Sequence, residues 1–299
     1  MKQTIVLIGL GKMGSSLARN LASKGEIPIL YNRTNSVAED LSTELGCTSI
    51  MNLQEVSKID SKKLIVLSLP PGEATSSILN EVKNYFIAGD TVIDFSNGHF
   101  SDDISRASEF DQISVSYFDC GISGGPKGAQ FHPCLMVGGR KEAFEEIRWL
   151  FDLLVQDGGI YKLLGGVGAG HYAKMIHNGI EYGMMQSIAE GFNVLKNSEY
   201  NFDLKQVADV YSDGSVIESN LMHMVKEGLE KYGDLSEFSG VVEALGTGQW
   251  ALEEAKKKGL DNESLQVAVD FRKNSSNHRT FTGKILTMLR NIFGGYPIV

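Results

Sequence analysis

The first 25 residues constrain the fold of this chain more than any other stretch. Residues 3–9 form a short apolar run typical of a buried strand, and residues 15–24 carry a helical pattern. Between them lies the pattern G-x-G-x-x-G, at Gly9, Gly11 and Gly14. Such glycines allow a tight turn and let a pyrophosphate approach the backbone and the following helix N-terminus. The order strand, glycine turn, helix therefore predicts a dinucleotide-binding βαβ unit.

The end of the second predicted strand indicates which dinucleotide is preferred. Residues 27–31 lead into Asn32-Arg33-Thr34, where an NAD site usually carries an Asp or Glu for the ribose hydroxyls. Arg33 instead offers a planar fork of donors that matches a 2′-phosphate, so the sequence predicts NADP. The alternative is that Arg33 is only a solvated residue at the end of the strand. The residues expected to bind the cofactor lie in loops that follow the strands: Gly9, Gly11, Lys12, Met13, Gly14, Asn32, Arg33, Thr34, Leu69, Pro70 and Asn97.

Strand and helix patterns alternate as far as residue 164. Further strands are predicted at 64–69, 91–95, 113–120, 134–138 and 159–162, each separated from the next by helical or loop sequence. This alternation predicts a Rossmann-type, doubly wound parallel sheet with ligands at the carboxyl ends of the strands.

Beyond residue 164 the patterns become helical. The predicted helices are a long one that ends near residue 196, followed by 203–212, 216–230, 248–258, 261–273 and 277–290. The chain is therefore predicted to consist of an α/β domain over 1–164 and an all-α substrate and dimerisation domain over 165–299.

Charge and cysteine content exclude several classes of function. A net charge of −9 argues against nucleic acid or an anionic membrane as a partner. Cys47, Cys120 and Cys134 show no disulfide or metal-ligand spacing, and no export signal is evident. We therefore expect a cytoplasmic protein without a metal site.

A polar stripe follows the glycine-rich segment at 165–170. If a helix begins there, Lys174, His177, Asn178 and Glu181 lie on one face, one above another, because their spacing is i, i+3, i+4, i+7. A base, two hydrogen-bonding groups and an acid on one stripe, with apolar residues on the other faces, favour a catalytic site over a solvated surface.

Other residues remain ambiguous from pattern alone. The segment Gly121 to Ala129 contains Ser123, Gly124 and Gly125, and its backbone N–H groups could hold a carboxylate or simply form a turn.

Several of these motifs together resemble the 6-phosphogluconate dehydrogenase family. They are Gly-Leu-Gly-Lys-Met-Gly from Gly9, Asn-Arg-Thr from Asn32, Ile-Ser-Gly-Gly-Pro-Lys-Gly-Ala from Ile122, and Gly-His-Tyr-Ala-Lys-Met-Ile-His-Asn-Gly-Ile-Glu-Tyr from Gly170. The length and the ending Leu-Arg-Asn-Ile-Phe-Gly-Gly resemble the short-chain branch of the family. His177 and Glu181 distinguish the decarboxylating enzymes from the wider β-hydroxyacid dehydrogenase superfamily.

The resemblance implies a role for each matching position. Lys174 is implied as the general base and Glu181 as the acid, with His177 and Asn178 holding substrate hydroxyls. The resemblance also implies that Ser123, Gly124 and Gly125 bind the substrate carboxylate and that Asn97 lies between the substrate and the nicotinamide. Tyr182, Arg272 and Arg290 are implied to bind the substrate phosphate. The family's C-terminal tail reaches into a partner subunit, which implies at least a homodimer that binds a small acidic sugar.

Two departures from the family pattern concern the far end of the substrate. Gln249 stands where the family usually has Lys or Arg, and Tyr296 stands where it has His. Phe95 also replaces a glycine and could alter either the pocket wall or merely the strand end.

The expected reaction is the NADP-dependent oxidative decarboxylation of 6-phosphogluconate, or of a closely related acidic aldonate. Two alternatives remain open: a non-decarboxylating β-hydroxyacid dehydrogenase or reductase, and an NADP(H)-binding regulatory protein on the same scaffold.

Overall fold

A computed structural model describes residues 3–243 and 246–298. The chain divides into two compact units, Met1–Lys174 (unit 1) and Met175–Val299 (unit 2). The division falls inside a long helix, whereas the sequence analysis places the domain boundary just before that helix.

Among the described residues, unit 1 contains a seven-stranded sheet in the order β2-β1-β3-β4-β5-β6-β7. Its strands are β1 (Thr4–Ile8), β2 (Ile29–Tyr31), β3 (Lys63–Leu67), β4 (Thr91–Asp94), β5 (Ser116–Ser123), β6 (Cys134–Gly138) and β7 (Ile160–Gly165). Because β2 and β3 lie on opposite sides of β1, the topological switch point at which dinucleotides bind lies at the carboxyl end of β1.

The helices of unit 1 are α1 (Lys12–Ser23), α2 (Asn35–Leu45), α3 (Glu73–Val82), α4 (Phe100–Asp111), α5 (Gly125–Phe131) and α6 (Lys141–Leu154). Helix α7 (Ala169–Lys196) begins in unit 1 and continues in unit 2. Unit 2 also contains α8 (Leu204–Tyr211), α9 (Asn220–Tyr232), α10 (Thr247–Lys257), α11 (Glu263–Asn274) and α12 (Phe281–Gly294). The predicted α/β sheet followed by helices is confirmed.

Alternating side chains of the central strands enter two separate cores, one on each face of the sheet. Leu7 of β1 and Val66 of β3 lie in one apolar cluster, while Ile8 and Leu67 lie in the other. Apolar residues on both faces of a strand require helices on both sides of the sheet, which is the doubly wound arrangement. Unit 2 has its own apolar core, which includes Met185 of α7 and Leu286 of α12.

Two of the differences between the structure and the predicted elements concern the direction of β6 and the start of α9. Strand β6 pairs antiparallel to β5, whereas the other neighbours in the sheet run parallel. The segment between β5 and β6 spans about ten residues, too short for a parallel crossover that usually needs a dozen or more. The other difference is α9, which begins at Asn220 after Ser219 caps it, not at residue 216. Across residues 3–243 and 246–298, none of the helices combines the length and the apolar character needed to cross a membrane.

A buried ion pair secures the amino-terminal end of the sheet. Lys63 Nζ lies 3.1 Å from the Asp90 carboxylate, and both side chains are almost completely buried. Asp90 also accepts hydrogen bonds from the backbone N–H groups of Lys63, at 2.7 Å, and Ile87, at 2.9 Å. The carboxylate of Asp90, just before β4, therefore binds the first residue of the neighbouring strand β3.

We predict that Asp90→Asn lowers the free energy of unfolding by about 3–5 kcal/mol, because it leaves the Lys63 cation buried without its counterion. Urea denaturation measures this change. Glu44→Gln is the control, because it breaks the exposed Arg19–Glu44 pair and should cost less than about 1 kcal/mol. Equal losses in the two variants would contradict the prediction.

Candidate functional site

The glycine turn after β1 is held by close backbone contacts. A Cβ on Gly9, whose φ is +94°, would lie 2.3 Å from the Ser68 carbonyl oxygen, and one on Gly14 would lie 1.9 Å from the Gly9 carbonyl oxygen. A Cβ on Gly9 would also lie 2.7 Å from the side chain of Leu69. A larger residue at either glycine would displace the turn. The ends of β1 and β3 and the start of α1 therefore meet here.

The second glycine of the motif is open. A Cβ on Gly11 would have no neighbouring atom within 4 Å, and Gly11 and Lys12 are exposed. The backbone at the start of α1 is thus accessible to an anionic group, as a pyrophosphate site requires. The turn fits a bound dinucleotide.

The loop after β2 lies beside this turn. The Asn32 side chain accepts a hydrogen bond from Leu10 N at 3.1 Å and donates one to the Thr34 carbonyl oxygen at 3.1 Å. Asn32 therefore shapes the loop, while Arg33 is exposed next to it. Of the remaining predicted cofactor residues, Met13 is half-buried and Pro70 is exposed.

A second group of predicted residues meets where β4 and β5 end. Asn97 adopts a left-handed backbone conformation, with φ +54°, and its side-chain oxygen accepts a hydrogen bond from Ile122 N at 3.1 Å. Ser123 follows as the last residue of β5, and Gly124, with φ +101°, turns the chain into α5. Gly125 is the first residue of α5, so the predicted loop is much shorter than the segment 121–129. Phe95 is buried in the apolar core of unit 1.

Lys174 lies against the same end of β5. Its side chain is 6% exposed, and a Cβ on Gly121 would lie 2.3 Å from the Lys174 Cβ. The strand and the helix can approach this closely because residue 121 has no side chain. Unit 1 therefore brings together Asn97, Ser123 and Lys174, which lie far apart in the sequence.

A buried network of charged groups surrounds the start of α7. Asp119 of β5 accepts hydrogen bonds from Gly168 N at 2.6 Å and His171 N at 2.7 Å. The His171 ring lies 2.8 Å from the Asp103 carboxylate of α4. Arg106, on the same helix, donates to Asp94 at 3.1 Å.

The network sets the charge of its members. Burial lowers the pKa of His171, but the hydrogen bond and the charge of Asp103, with Asp94 and Asp119, raise it to about 9. Burial and the neighbouring Asp103 raise the pKa of Asp119 despite the opposing effects of His171 and the backbone donors. His171 is therefore a buried cation at neutral pH.

The remaining predicted catalytic residues lie in unit 2, further along α7. His177 Nδ1 lies 3.0 Å from Asn178 Oδ1 and 3.7 Å from the Glu181 carboxylate. The Asn178 amide donates a hydrogen bond to the Thr247 hydroxyl at the start of α10. Three members of the predicted polar stripe, His177, Asn178 and Glu181, therefore lie close to one another.

Arg272 is a buried cation in unit 2. It is 2% exposed, and its guanidinium lies 3.5 Å from the centre of the Tyr182 ring. Burial, with a smaller effect of Arg290, lowers its pKa to about 10, although Tyr182 and Glu181 oppose the change. Among the residues described, no carboxylate forms an ion pair with Arg272, and its Nε has no hydrogen-bond partner. A buried guanidinium in this state favours an anionic ligand.

The two departures from the family pattern lie on helix ends. Gln249 donates a hydrogen bond to Glu253 of its own helix at 2.7 Å. Arg290 donates to Glu243 at 2.9 Å, and the Tyr296 ring covers its guanidinium at 4.4 Å. The described part of the C-terminal tail therefore folds back onto α12 of the same chain.

The sequence analysis missed Asp103, Asp119 and His171 as contributors to the site. One signal was available for Asp119, because a carboxylate inside the apolar strand β5 needs a specific partner. His171 lies within the motif around Lys174, but its spacing does not reveal Asp103 as its partner.

The chain matches two family models over most of its length. The model described as the NAD binding domain of 6-phosphogluconate dehydrogenase matches residues 4–161. The model described as the C-terminal domain of 6-phosphogluconate dehydrogenase matches residues 170–289.

Two curated relatives match along nearly their whole length. "Putative 6-phosphogluconate dehydrogenase YqeC" of Bacillus subtilis is 37% identical, over 98% of each chain. The "6-phosphogluconate dehydrogenase, NAD(+)-dependent, decarboxylating" of Haloferax volcanii is 31% identical, over 98% of this chain and 97% of its own.

The fold also matches solved structures. The Plasmodium falciparum 6-phosphogluconate dehydrogenase, studied with NADP+ and with 6-phosphogluconate, has a TM-score of 0.81 and 25% identity, over 97% of this chain and 70% of its own. The Mycobacterium tuberculosis 3-hydroxyisobutyrate dehydrogenase has a TM-score of 0.74 at 21% identity, over 96% and 99% of the two chains, and shares the fold.

We predict that, as the pH rises, the free energy of unfolding falls more steeply for the protein than for a His171→Gln variant. The pKa of His171 rises from 6.5 to about 9 on folding, so its contribution is complete below pH 6.5 and is lost as the pH approaches 9. This shift corresponds to about 3 kcal/mol. Urea denaturation of both proteins at pH 6.5 and pH 9 measures the difference, and parallel pH dependences would show that His171 does not carry this charge.

Proposed function

The chain belongs to the 6-phosphogluconate dehydrogenase family of NAD(P)-binding oxidoreductases, and on that premise we propose that it oxidises and decarboxylates 6-phosphogluconate, or a closely related acidic aldonate, with NADP. The observation that carries this proposal is α7. It is one uninterrupted helix that contains Lys174, His177, Asn178 and Glu181 at the spacing of a single stripe.

Lys174 is the proposed general base. In the family's reaction, a neutral lysine accepts the proton of the substrate C3 hydroxyl. When bound, NADP supplies the nicotinamide that accepts the hydride from C3. The charged Lys174 then stabilises the C3 oxygen of the keto intermediate while carbon dioxide leaves. The burial of Lys174 supports this role, because it removes the ammonium from bulk water.

Glu181 is the proposed acid that returns a proton to C1 of the enediol. His177, which lies between Asn178 and Glu181, is suited to hold a substrate hydroxyl and to orient the carboxyl group. Both an acid and a base are needed for the complete reaction, whereas a simple dehydrogenase needs no acid at C1. The presence of Glu181 therefore favours the decarboxylating reaction.

The anionic ends of the substrate have separate proposed partners. Ser123, with the backbone N–H groups of Gly124 and Gly125, is suited to the carboxylate, and Asn97 lies next to that turn. Arg272 is suited to the phosphate, together with Tyr182 and Arg290. The buried and uncompensated guanidinium of Arg272 is the main support for an anion at the far end.

NADP is the proposed cofactor because Arg33 is exposed in the loop after β2, where no carboxylate precedes it. The relative from Haloferax volcanii is named as NAD(+)-dependent, so membership of the family alone does not determine this choice. The electrostatic character of the loop makes the distinction.

We also propose that the protein is at least a homodimer. Apolar side chains of α7 remain exposed in the single chain: Ile180 is 57% exposed, Met184 42% and Val194 71%. They lie along one stripe of the helix, about one and three turns apart. This pattern fits a helix packed against a second copy.

We predict that the protein forms NADPH and carbon dioxide in equal amounts from 6-phosphogluconate and NADP. Unphosphorylated gluconate should have a much lower kcat/KM, because Arg272 then remains buried without an anion. NADPH absorbance and carbon dioxide release, measured in the same reaction, test both points. NADPH without carbon dioxide would support the non-decarboxylating alternative.

Matched variants identify the residues responsible. Lys174→Ala should abolish NADPH formation while NADP still binds, whereas Glu181→Gln should slow the release of the final ketose. Unchanged activity in Lys174→Ala would overturn the assignment of the base. NADP binding by the wild-type protein without turnover of any acidic aldonate would favour the regulatory alternative.

We predict that Arg33→Ala lowers kcat/KM for NADP by about 10- to 100-fold, because one charge-assisted contact contributes about 1.5–3 kcal/mol. The value for NAD should stay within about threefold, since NAD has no 2′-phosphate. Steady-state kinetics with each cofactor measure the two effects. An equal loss for both would mean that the substitution damages the loop, and no loss would place the 2′-phosphate away from Arg33.

A further inference from the structure

The carboxylate of Asp119 holds the first turn of α7. The first N–H groups of a helix have no partner within the helix. One of them, that of His171, donates to Asp119 at 2.7 Å, and the N–H of Gly168, just before the helix, donates to Asp119 at 2.6 Å. The negative charge also lies at the positive end of the helix dipole. Charge-assisted bonds to two N–H groups fix both the position and the rotation of this turn.

Close backbone contacts leave the turn little freedom to move. A Cβ on Gly170 would lie 2.3 Å from the Met136 carbonyl oxygen, and one on Gly138 would lie 2.4 Å from Asp119 Oδ1. The first turn of α7 therefore lies directly against the backbones of β5 and β6. Lys174 is one turn further along and lies against Gly121 of β5, so a shift of the first turn would move the lysine.

The His171–Asp103 pair holds the same turn from the other side. The backbone N–H of His171 donates to Asp119 while its ring contacts Asp103 at 2.8 Å. Asp103 is placed by α4, and its other oxygen lies 2.9 Å from the Tyr117 hydroxyl of β5. The turn is thus tied to both a strand and a helix of unit 1.

These three side chains are not arranged as a metal centre. Their ligand atoms lie within 4.8 Å of one another, as in many metal sites. However, both oxygens of Asp119 already accept backbone hydrogen bonds, and both oxygens of Asp103 have protein partners. Arg106 also lies 3.8 Å from Asp103 and supplies a positive charge. The carboxylate oxygens of Asp103 and Asp119 therefore have partners in the protein, whereas His171 Nε2 is buried without a hydrogen-bond partner among the described residues.

We propose that Asp119 is a positioning residue for the reaction: together with the His171–Asp103 pair, it fixes the first turn of α7 and thereby the place of Lys174 at the end of β5. This inference rests on the proposed function insofar as Lys174 is the base. Asp119 itself contacts the helix backbone.

The test compares Asp119→Asn with Asp90→Asn. Both residues are fully buried carboxylates of unit 1 that accept two backbone hydrogen bonds and lie near a cation. Asparagine is nearly isosteric, but its NH2 group cannot accept a hydrogen bond, so one backbone N–H loses its partner. Asp90 directly precedes β4 and so lies at the amino end of the parallel strands. Lys174 lies near the carboxyl end of β5, which is the opposite end of the sheet.

We expect Asp119→Asn to lower kcat by about 10- to 100-fold, as a misplacement of about 1 Å can do, with KM for NADP within about threefold. Asp90→Asn should leave kcat within about threefold at a temperature at which circular dichroism shows both variants folded. Equal kcat values in the two variants, or a loss confined to KM, would overturn the proposal.

A double-mutant cycle tests the supporting ion pair. Asp103→Asn and His171→Gln each leave one buried charge without its partner, so each should lower kcat. The double variant removes both charges and should have a higher kcat than either single variant. Independent, multiplicative losses would show that the pair does not act as a unit on Lys174.

Hydrogen–deuterium exchange separates this inference from the proposed function. Peptides that cover residues 166–178 should exchange faster in Asp119→Asn than in Asp90→Asn, whether or not any substrate is turned over. If the wild-type protein fails to oxidise 6-phosphogluconate, the proposed function is wrong, while this comparison still reports on the helix. Equal exchange of these peptides in the two variants would show that Asp119 does not hold the turn, and would overturn the inference.

Discussion

The carboxylate of Asp119 joins the sheet of unit 1 to the helix that bears Lys174. A strand interior is an unfavourable place for a charge, and Asp119 is fully buried there. Its cost is offset because it accepts two hydrogen bonds from backbone N–H groups that would otherwise be unsatisfied at the start of α7. Neither the strand nor the helix terminus would be stable in this place without the other.

Charges of both signs surround this junction and partly offset one another. Asp94, Asp103 and Asp119 are negative, while Arg106 and His171 are positive, and the positive end of the α7 dipole lies next to Asp119. Burial strengthens each of these interactions because the surrounding dielectric constant is low. It also makes the loss of any single member costly, since the remaining charges are not hydrated.

The surroundings of Arg272 in unit 2 follow the opposite principle. Arg272 is as deeply buried as the charges around Asp119, yet its guanidinium contacts the Tyr182 ring and no carboxylate among the described residues. A structural ion pair would satisfy the cation permanently. Under the proposed function, Arg272 gains its counterion only when an anionic ligand binds, so a ligand without the anionic group would bind less tightly.

Local sequence determined much of this protein. The glycine turn after β1, the alternation of strands and helices, and the polar stripe of α7 depend on short-range spacing, and each was predicted from spacing alone. The direction of β6 was predictable in principle, since the segment that links it to β5 is too short for a parallel crossover. The motif around Lys174 was specific enough to indicate the family before any contact was known. The partners of buried charges were not predictable in this way. Asp119 meets Gly168 across 49 positions and Asp103 meets His171 across 68, so no periodicity records them. Only the tertiary structure decided that Phe95 fills the core, that Gly121 makes room for Lys174, and that a strand carboxylate caps the helix, because these depend on which backbones come together when the sheet forms.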